Sequence, residues 1–519
     1  SNDSGNGSGD ILKIEFDSGS DSNRRLSVID NNHAGSGIRF VGERRFRDPS
    51  AWYHIVLAVD TTQATATNRV KIYVNNEQVS DWRSGSEHNH PPNQNYDTCV
   101  NLSGKSNTWG RSFTFGNSSA DHFDGYLTEI NFIDGFQYDP SYFGTTDVIT
   151  GQWNPKKYVG SYGTNGYYLN FSDNSGTSAT TLGKDSSGNG NNFTPNNFSV
   201  SAGQGNDSVI DTPTNNFPTL NPITIYGSTS PQLANGNLDF TMTSNAMWPK
   251  STFLIPKSGK WYAEVVITAD GIGQAVIAVA NPMLQQDSSG SAATTRYNGI
   301  NYYGTDIRVD DNNNIQTGVT AIGVNNTIGI CVDRDAGTVL FKNNNNNVGV
   351  AQSYSGTAGS MEDAIFGVGR GSNSGSNITG YFNFGQRPFT YTPPTGFKAL
   401  CSANLDDPTI KLPNKHFGTI LYTGNGSSQS ISDSNAVNFK PDWIWFKKRS
   451  GAESHHLSDS IRGANKRLDT SGGAAESTDT NLTSFDNNGF TISGTQGGST
   501  NDNGDTYAAW NWNAGATDS

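Results

Sequence analysis

The stretch Asn326–Lys342 constrains the fold of this 519-residue chain more than any other. Its sequence, NTIGICVDRDAGTVLFK, places apolar residues at alternate positions on both sides of a short polar break. Alternation with a period of two indicates a half-buried strand, and the break at Asp333–Gly337 supplies turn residues. The sequence therefore predicts a β-hairpin. A single hairpin cannot bury an apolar face by itself, so the chain must also contain partner sheets.

Composition favours an all-β fold of tandem antiparallel β-sandwiches. Aromatic residues make up 11% of the chain and Gly contributes 59 residues, while hydrophobic residues total only 33%. Short strands use aromatic and β-branched side chains to pack two sheets together, and Gly, Asn, Asp and Ser form their turns. A chain of this length is expected to hold roughly three or four domains.

Charge and hydropathy exclude two classes of partner. The formal net charge is -13, from 34 basic and 47 acidic residues. Nucleic-acid binding needs a basic surface that displaces counterions from phosphates, so we expect no nucleic-acid partner. A membrane span requires about 20 consecutive apolar residues, and no apolar stretch approaches that length, so we expect no membrane insertion. The three cysteines, Cys99, Cys331 and Cys401, lack metal-ligand spacing and are interpreted as buried side chains.

Residues 1–150 are predicted to form the first sandwich. Trp52–Asp60 has apolar residues at alternate positions, which predicts a strand. Arg69–Val79 contains an Asn75-Asn76 turn that needs positive φ. Phe123–Gly135 is the last of the three segments. In this order the segments resemble the laminin-G-like, or concanavalin-A-like, jelly roll. The resemblance implies a β-sandwich, and we expect residues 160–195 to supply an edge that residues 1–150 lack.

Residues 151–235 are rich in Asn, Ser, Gly and Thr and are interpreted as an ordered connector with one or two strands. Its aromatic residues, such as Trp153 and Tyr158, need a surface to pack against. The alternative is a flexible tether between domains.

Residues 236–400 are predicted to form the second sandwich. Gly259–Ile267 (GKWYAEVVI), the hairpin described above and Tyr381–Phe389 (YFNFGQRPF) follow one another along the chain. Together they resemble the motifs of the SPRY family. The resemblance implies a protein-recognition sandwich without catalytic residues. SPRY ligand loops vary too much for any binding residue to be carried over.

Residues 401–519 are predicted to form a Trp-rich C-terminal β module. Strands are expected at Trp443–Lys447, Gly489–Ser493 and Tyr507–Trp512, with one short helix near Ala452–Arg462. This module, and the whole order of domains, resembles bacteriophage virion proteins described as tail fibres or structural proteins. The resemblance implies a virion location after assembly in the host cytoplasm, other virion proteins as partners, and a homo-oligomer.

Two acidic turns are candidate binding sites for a structural calcium ion, and we expect no other cofactor. Asp333 and Asp335 place carboxylates at alternate positions of a tight loop, and Asp185–Asn191 has a similar pattern. No bidentate Glu follows Asp333 at the offset that a full calcium loop requires. The alternative is a plain turn in which Asp accepts local hydrogen bonds.

His88 and His90 form the one close His-x-His pair of the chain. In an extended segment, imidazoles at i and i+2 can face one metal ion, and symmetry copies could complete its coordination. The alternative is a pair of solvated histidines in a polar loop.

Trp82, Tyr96 and Trp109 are the candidate ligand-binding residues. They occur in Asn- and Ser-rich segments predicted to be loops, where an aromatic ring could stack on a sugar whose hydroxyls bond to nearby amides. The alternatives are that these rings anchor their own loops or pack against a neighbouring subunit.

No catalytic motif is evident. The chain has no Gly-x-Ser-x-Gly, and two carboxylates about 5–10 Å apart, as in glycoside hydrolases, cannot be identified from sequence. We therefore expect a non-enzymatic protein. The resemblance to virion proteins implies a tail fibre or appendage that binds a host-surface glycan or protein. An architectural capsid-decoration or head-fibre protein and a bacterial surface adhesin are the alternatives.

Overall fold

The computed structural model confirms an all-β protein with several antiparallel sheets. Helical structure in the described residues is limited to single 3-10 turns, and none of their helices is long and apolar enough to cross a membrane. The structure describes residues 11–17, 25–31, 37–48, 50–85, 88–99, 106–112, 125–222, 232–243, 248–271, 273–282, 299–309, 313–354, 362–370, 377–434, 436–494 and 500–515.

The chain divides into two compact units, which are described separately. The first comprises Ser1–Gly144 and Pro155–Leu405, and the second comprises Thr145–Asn154 and Asp406–Ser519. Thr145–Asn154 thus belongs with the C-terminal residues, where the Leu412 N–H donates to the Ile149 carbonyl at 2.8 Å. No local sequence pattern predicts that this segment belongs to the second unit, because the pairing joins residues far apart in the chain.

The first part of the first unit has a five-stranded and a three-stranded sheet. Their buried side chains, including Leu12, Val28, Ile72 and Val74, form one core. The sheet orders are β7-β3-β2-β1-β8 and β4-β5-β6, and β9 pairs with β12. The strands are β1 (Ile11–Asp17), β2 (Arg25–Asn31), β3 (Ile38–Arg45), β4 (Ile55–Val59), β5 (Val70–Val74), β6 (Glu77–Gln78), β7 (Asn89–His90), β8 (Ser106–Ser112), β9 (Ile130–Phe132) and β12 (Tyr167–Leu169). The intervening strands β10 (Gly144–Thr146) and β11 (Trp153–Pro155) pair with each other, and most of their residues belong to the second unit.

Local turn chemistry in this part follows the sequence. Asn75 and Asn76, between β5 and β6, have φ of 50° and 72°, as their predicted turn requires. Tyr167–Leu169, from the stretch expected to supply an edge, pairs antiparallel with Ile130–Phe132.

The middle part is a sandwich of two sheets around the largest buried core. The path of the first sheet is β13-β14-β25-β15-β20-β21-β22, and the order of the second is β19-β18-β17-β16-β24. The strands are β13 (Gln232–Ala234), β14 (Asp239–Met242), β15 (Lys260–Ala269), β16 (Ala275–Ala280), β17 (Gly299–Tyr303), β18 (Asp306–Val309), β19 (Asn313–Thr317), β20 (Thr327–Asp333), β21 (Thr338–Asn343), β22 (Asn346–Asn347), β23 (Gln352–Ser353), β24 (Ile365–Arg370), β25 (Ile378–Asn383) and β26 (Lys398–Ala399).

The hairpin predicted for Asn326–Lys342 is confirmed as β20–β21, with Asp333 opposite Thr338 at its turn. Ile328, Ile330, Val339 and Phe341 are all buried in the core, on the face that their alternation predicts. The three motif segments lie side by side, because β15 is paired with both β20 and β25.

The C-terminal part is a sandwich of a six-stranded and a three-stranded sheet, ordered β27-β35-β29-β30-β31-β32 and β28-β34-β33. The strands are β27 (Phe417–Thr423), β28 (Gln429–Ser432), β29 (Trp443–Lys448), β30 (His456–Asp459), β31 (Lys466–Asp469), β32 (Ser477–Thr478), β33 (Leu482–Asp486), β34 (Gly489–Ile492) and β35 (Thr506–Trp512). The three predicted strands are confirmed here. The helix predicted near Ala452–Arg462 is wrong, since His456–Asp459 pairs with the preceding strand β29, and this pairing overrides local propensity.

Candidate functional site

The predicted aromatic ligand residues of the first domain have structural partners. The Trp82 ring is partly buried and lies 4.8 Å, centroid to centroid, from the Phe40 ring. The Tyr96 hydroxyl donates to Oδ1 of the buried Asp30 at 3.0 Å. The loop location predicted for Trp109 is wrong, because this residue lies in β8, which pairs in parallel with β1. The side chain of Trp109 lies outside the described residues.

His88 and His90 differ in environment. His88 is buried, whereas His90 lies in β7 and its Nδ1 is 2.9 Å from the Gly37 carbonyl oxygen. A solvated loop is therefore the wrong description for His88, because the segment folds onto the edge of the five-stranded sheet. The described residues contain no group of three or more His, Cys, Asp or Glu side chains that could hold a metal ion.

Asp333 and Asp335 are both held by hydrogen bonds at the hairpin turn. Oδ1 of Asp333 accepts from the N–H groups of Asp335 at 3.1 Å and Ala336 at 2.9 Å, and Oδ2 lies 2.7 Å from Lys260 Nζ. Oδ1 of Asp335 accepts from the Gly259 N–H at 2.8 Å. Burial raises the pKa of Asp333, but these partners outweigh it and hold that pKa below its usual range. The arrangement fits the plain-turn alternative to a calcium loop.

Asp185 organises the other acidic turn in the same way. Its Oδ1 accepts from the N–H groups of Tyr168 at 2.9 Å and Ser187 at 2.8 Å. Its Oδ2 accepts from Ser187 Oγ at 2.8 Å and from the Asn191 N–H at 2.9 Å. Four donors around one buried carboxylate make Asp185 an internal anchor of its loop.

The C-terminal unit contains a buried Ser–His–Asp chain that the sequence analysis did not identify. His456 Nε2 is 3.1 Å from Ser458 Oγ, and His456 Nδ1 is 3.5 Å from Asp479 Oδ2, which also accepts from Arg467 Nη1 at 3.0 Å. Residues of these types form hydrolase triads, in which His takes the proton of Ser.

The hydrogen-bond directions do not match a triad. The Ser458 hydroxyl donates to the Lys466 carbonyl at 2.9 Å, so His456 Nε2 must donate to Ser458 Oγ and cannot accept its proton. Ser458 is also fully buried, which leaves no surface for a substrate to reach. His456 and Ser458 therefore form a structural hydrogen-bond chain that links β30 to β31. The contact between His456 Nδ1 and Asp479 Oδ2 is not a hydrogen bond, because Nδ1 of this neutral imidazole carries no proton.

This network predicts an acid-sensitive C-terminal unit. Burial lowers the pKa of His456 to about 4, while an unfolded histidine titrates near 6.5. Between these values the unfolded state binds the extra proton, so stability should fall as the pH is lowered, by up to about 1.4 kcal/mol per pH unit. Hydrogen exchange of β30 peptides with increasing denaturant reports the C-terminal unit alone, and the slope between pH 7 and pH 4.5 should be lost in His456→Gln. The matched variant His455→Gln should keep it, and an unchanged slope in His456→Gln would contradict the assignment.

The strongest candidate for a binding surface lies on the outer face of the six-stranded sheet. We call it the tryptophan face and define it by residues of three adjacent strands: Phe417, Leu421, Trp443, Trp445, Trp510 and Trp512. Strand alternation accounts for it, because Ile444, Phe446 and Ala509, each next to a tryptophan in sequence, point to the opposite side of the sheet and into the core. The four tryptophans are partly exposed, and Phe417 and Leu421 are 42% and 59% exposed.

Cross-strand register arranges the rings in two rows. Trp443 is opposite Trp512 with ring centroids 4.4 Å apart, and Phe417 continues this row at 4.9 Å from Trp512. Trp445 is opposite Trp510 at 5.3 Å, and its indole N–H donates to Thr470 Oγ1 at 2.9 Å. The rings within the two tryptophan pairs are tilted by 41° and 43°.

The sequence carried a signal for this surface. Trp443-x-Trp445 and Trp510-x-Trp512 each place two indoles on one face of a predicted strand. What the sequence did not reveal is that the two strands are neighbours in register, so that four indoles form a single patch.

Comparisons with known proteins describe parts of the chain. Residues 412–519 match a family described as "Domain of unknown function (DUF7483)". No curated protein matches the chain. The chain is similar to the SPRY domain of human HERC1, at 13% identity and a TM-score of 0.22, over 29% of this chain and 91% of that one.

Two further solved structures show the same kind of similarity. A human SPRY domain is 13% identical, with a TM-score of 0.19, over 28% of this chain and 84% of that one. The TRIM65 PSpry domain is 11% identical, with a TM-score of 0.23, over 32% of this chain and 89% of that one. These similarities concern the fold alone.

Proposed function

We propose that the chain is a non-enzymatic surface-recognition protein of a bacteriophage particle, a tail fibre or related appendage, and that the tryptophan face binds a glycan of the host surface. The bacteriophage context rests on the resemblance of the domain order to virion proteins. The binding role rests on one observation, the four partly exposed indoles that lie together on adjacent strands.

The composition of the face favours a ligand with both apolar and polar surfaces. Exposed tryptophans concentrate binding energy, because a large rigid ring loses little conformational entropy when it becomes buried against a ligand. Around the indoles lie the hydroxyl of Thr470, which accepts from Trp445, and the ring of His455, 5.6 Å from the Trp445 ring. A pyranose offers C–H groups to the rings and hydroxyls to these polar side chains.

A glycan array probed with the purified full chain tests the proposal. Substitution of Trp510 by Ala should weaken binding of any glycan identified by at least about tenfold, which corresponds to about 1.4 kcal/mol. Phe136→Ala, which removes an aromatic side chain that is 56% exposed in the first unit, serves as the matched control and should leave binding unchanged.

Thermal unfolding of both variants separates ligand contact from folding. Trp510→Ala should unfold close to the wild-type temperature, because its ring lies on the outer face and not in the core. If the protein bound neither a glycan of the array nor host cells, the recognition proposal would be wrong. Location of the protein on the capsid shell, together with that absence, would favour the architectural alternative.

A further inference from the structure

Among the described strands, β27 is one with an unpaired edge. It lies at the end of the six-stranded sheet, where it pairs with β35, and no other described strand pairs with it. It is seven residues long, and its sequence, FGTILYT, contains no charged residue. Long, uncharged edge strands tend to pair with another chain, which proteins ordinarily prevent with Lys, Pro or a bulge.

The hydrogen-bond ladder identifies which residues face this edge. The Asn513 N–H donates to the His416 carbonyl and the Gly424 N–H donates to the Asp505 carbonyl, both at 2.8 Å, on either side of β27. Since backbone bonds alternate along an antiparallel strand, residues 418, 420 and 422 also bond to β35. The N–H and C=O groups of Phe417, Thr419 and Leu421 therefore point away from the sheet.

We propose that β27 pairs antiparallel with β27 of a second copy of this chain, about a two-fold axis at Thr419. Thr419 is the middle of the three residues with outward backbone groups. This register places Thr419 opposite its own copy and Phe417 opposite Leu421 of the second copy. All three outward residues then exchange both backbone hydrogen bonds.

The side chains fit this self-pairing. Phe417 and Leu421, which are 42% and 59% exposed, meet as an aromatic–aliphatic cross-strand pair on each side of the axis. The nearest charged residue, Lys415, falls opposite Thr423, so no like charges face each other. The same surface serves both copies, as a closed two-fold interface requires.

The pairing has a consequence for the tryptophan face. Phe417 and Leu421 belong to that face, and a two-fold axis perpendicular to the sheet keeps the outer faces of both copies on one side. Two tryptophan faces would become one continuous surface, so a repetitive ligand could be bound twice. The pairing does not depend on the proposed glycan binding, and its test does not use a glycan.

A disulfide at the axis tests the pairing. Opposed residues in a hydrogen-bonded pair have Cα atoms about 5.5 Å apart, within the range that a disulfide spans. The native Cys99, Cys331 and Cys401 are buried, and burial raises the pKa of Cys331 to about 12, so a new surface thiol would be the reactive one. Full-length Thr419→Cys should form a covalent dimer under mild oxidation, whereas Ile461→Cys, at a side chain 81% exposed, should not.

Light scattering and edge-blocking variants complete the test. The wild type should have twice the 55.6 kDa mass of one chain, and Thr419→Pro and Leu421→Lys should each return it to that mass. Proline at 419 removes an N–H that points away from β35, so the intramolecular ladder remains intact. A wild-type monomer, a dimer that persists in both edge variants, or equal cross-linking at 419 and 461 would each overturn the proposal.

Discussion

Substitution of Glu264 by leucine is expected to lower the free energy of unfolding of the middle sandwich by about 3–5 kcal/mol. Glu264 lies in β15 and is 2% exposed. Its Oε1 accepts from the Tyr262 hydroxyl at 3.0 Å and the Tyr391 N–H at 3.0 Å, and its Oε2 accepts from the Thr390 N–H at 2.8 Å. Leucine has similar bulk but accepts no hydrogen bond, so one hydroxyl and two backbone N–H groups would lose their acceptor.

Hydrogen exchange of peptides from β15, followed with increasing denaturant, would measure this loss for the middle sandwich alone. A measurement on the whole chain would mix the unfolding of several domains. Glu264→Gln keeps one acceptor oxygen and should lose less stability, and Glu362→Leu, at an exposed site of the same sandwich, should lose almost none. A loss below about 1 kcal/mol for Glu264→Leu would show that its three donors find other acceptors.

Substitution of Asp185 by alanine is expected to destabilise its part of the first unit by about 3–5 kcal/mol. The change removes the acceptor of three backbone N–H groups, from Tyr168, Ser187 and Asn191, and of the Ser187 hydroxyl. One of these groups belongs to β12, so the loop would lose one of its attachments to the β9–β12 pair and keep the bond from the Ser186 N–H to the Tyr168 carbonyl. Hydrogen exchange of residues 167–193 would measure the loss.

Asp173→Ala is the matched control, because Asp173 caps a similar local turn but is only partly buried. The same experiment decides between an internal anchor and a calcium loop. If Asp185 acts through its protein donors, a calcium chelator should leave exchange in the wild type unchanged. A chelator effect as large as that of Asp185→Ala would restore the calcium hypothesis for this turn.

The interior of the sandwiches was predictable from the sequence, because alternation is a local property. The hairpin β20–β21, the apolar face of β15 and the strands β29, β34 and β35 all follow from side chains that point to opposite faces at successive residues. The Asn75-Asn76 turn was predictable for the same kind of reason, since Asn tolerates positive φ.

Short-range patterns were misleading where long-range pairing decided the structure. Ser106–Ser112 is polar and was assigned to a loop, yet it forms a strand because β1 lies beside it. His456–Asp459 was predicted to be helical, yet it pairs with β29 and forms a strand of the sheet. The carboxylates of Asp333 and Asp335 match a calcium pattern in sequence, and calcium binding there stays a prediction. The sequence did not show that the fold brings Lys260 and the Gly259 N–H, about 75 residues earlier, within bonding distance of them.

The sequence by itself determined which side chains are internal and which turns are possible, because these depend on neighbours one to four residues away. The tertiary structure alone decided which surfaces the chain presents. The four indoles become one patch, and β27 becomes a free edge, only through the order and register of strands that lie up to 95 residues apart. Strand order depends on the packing of the whole sheet, so no local pattern specifies it.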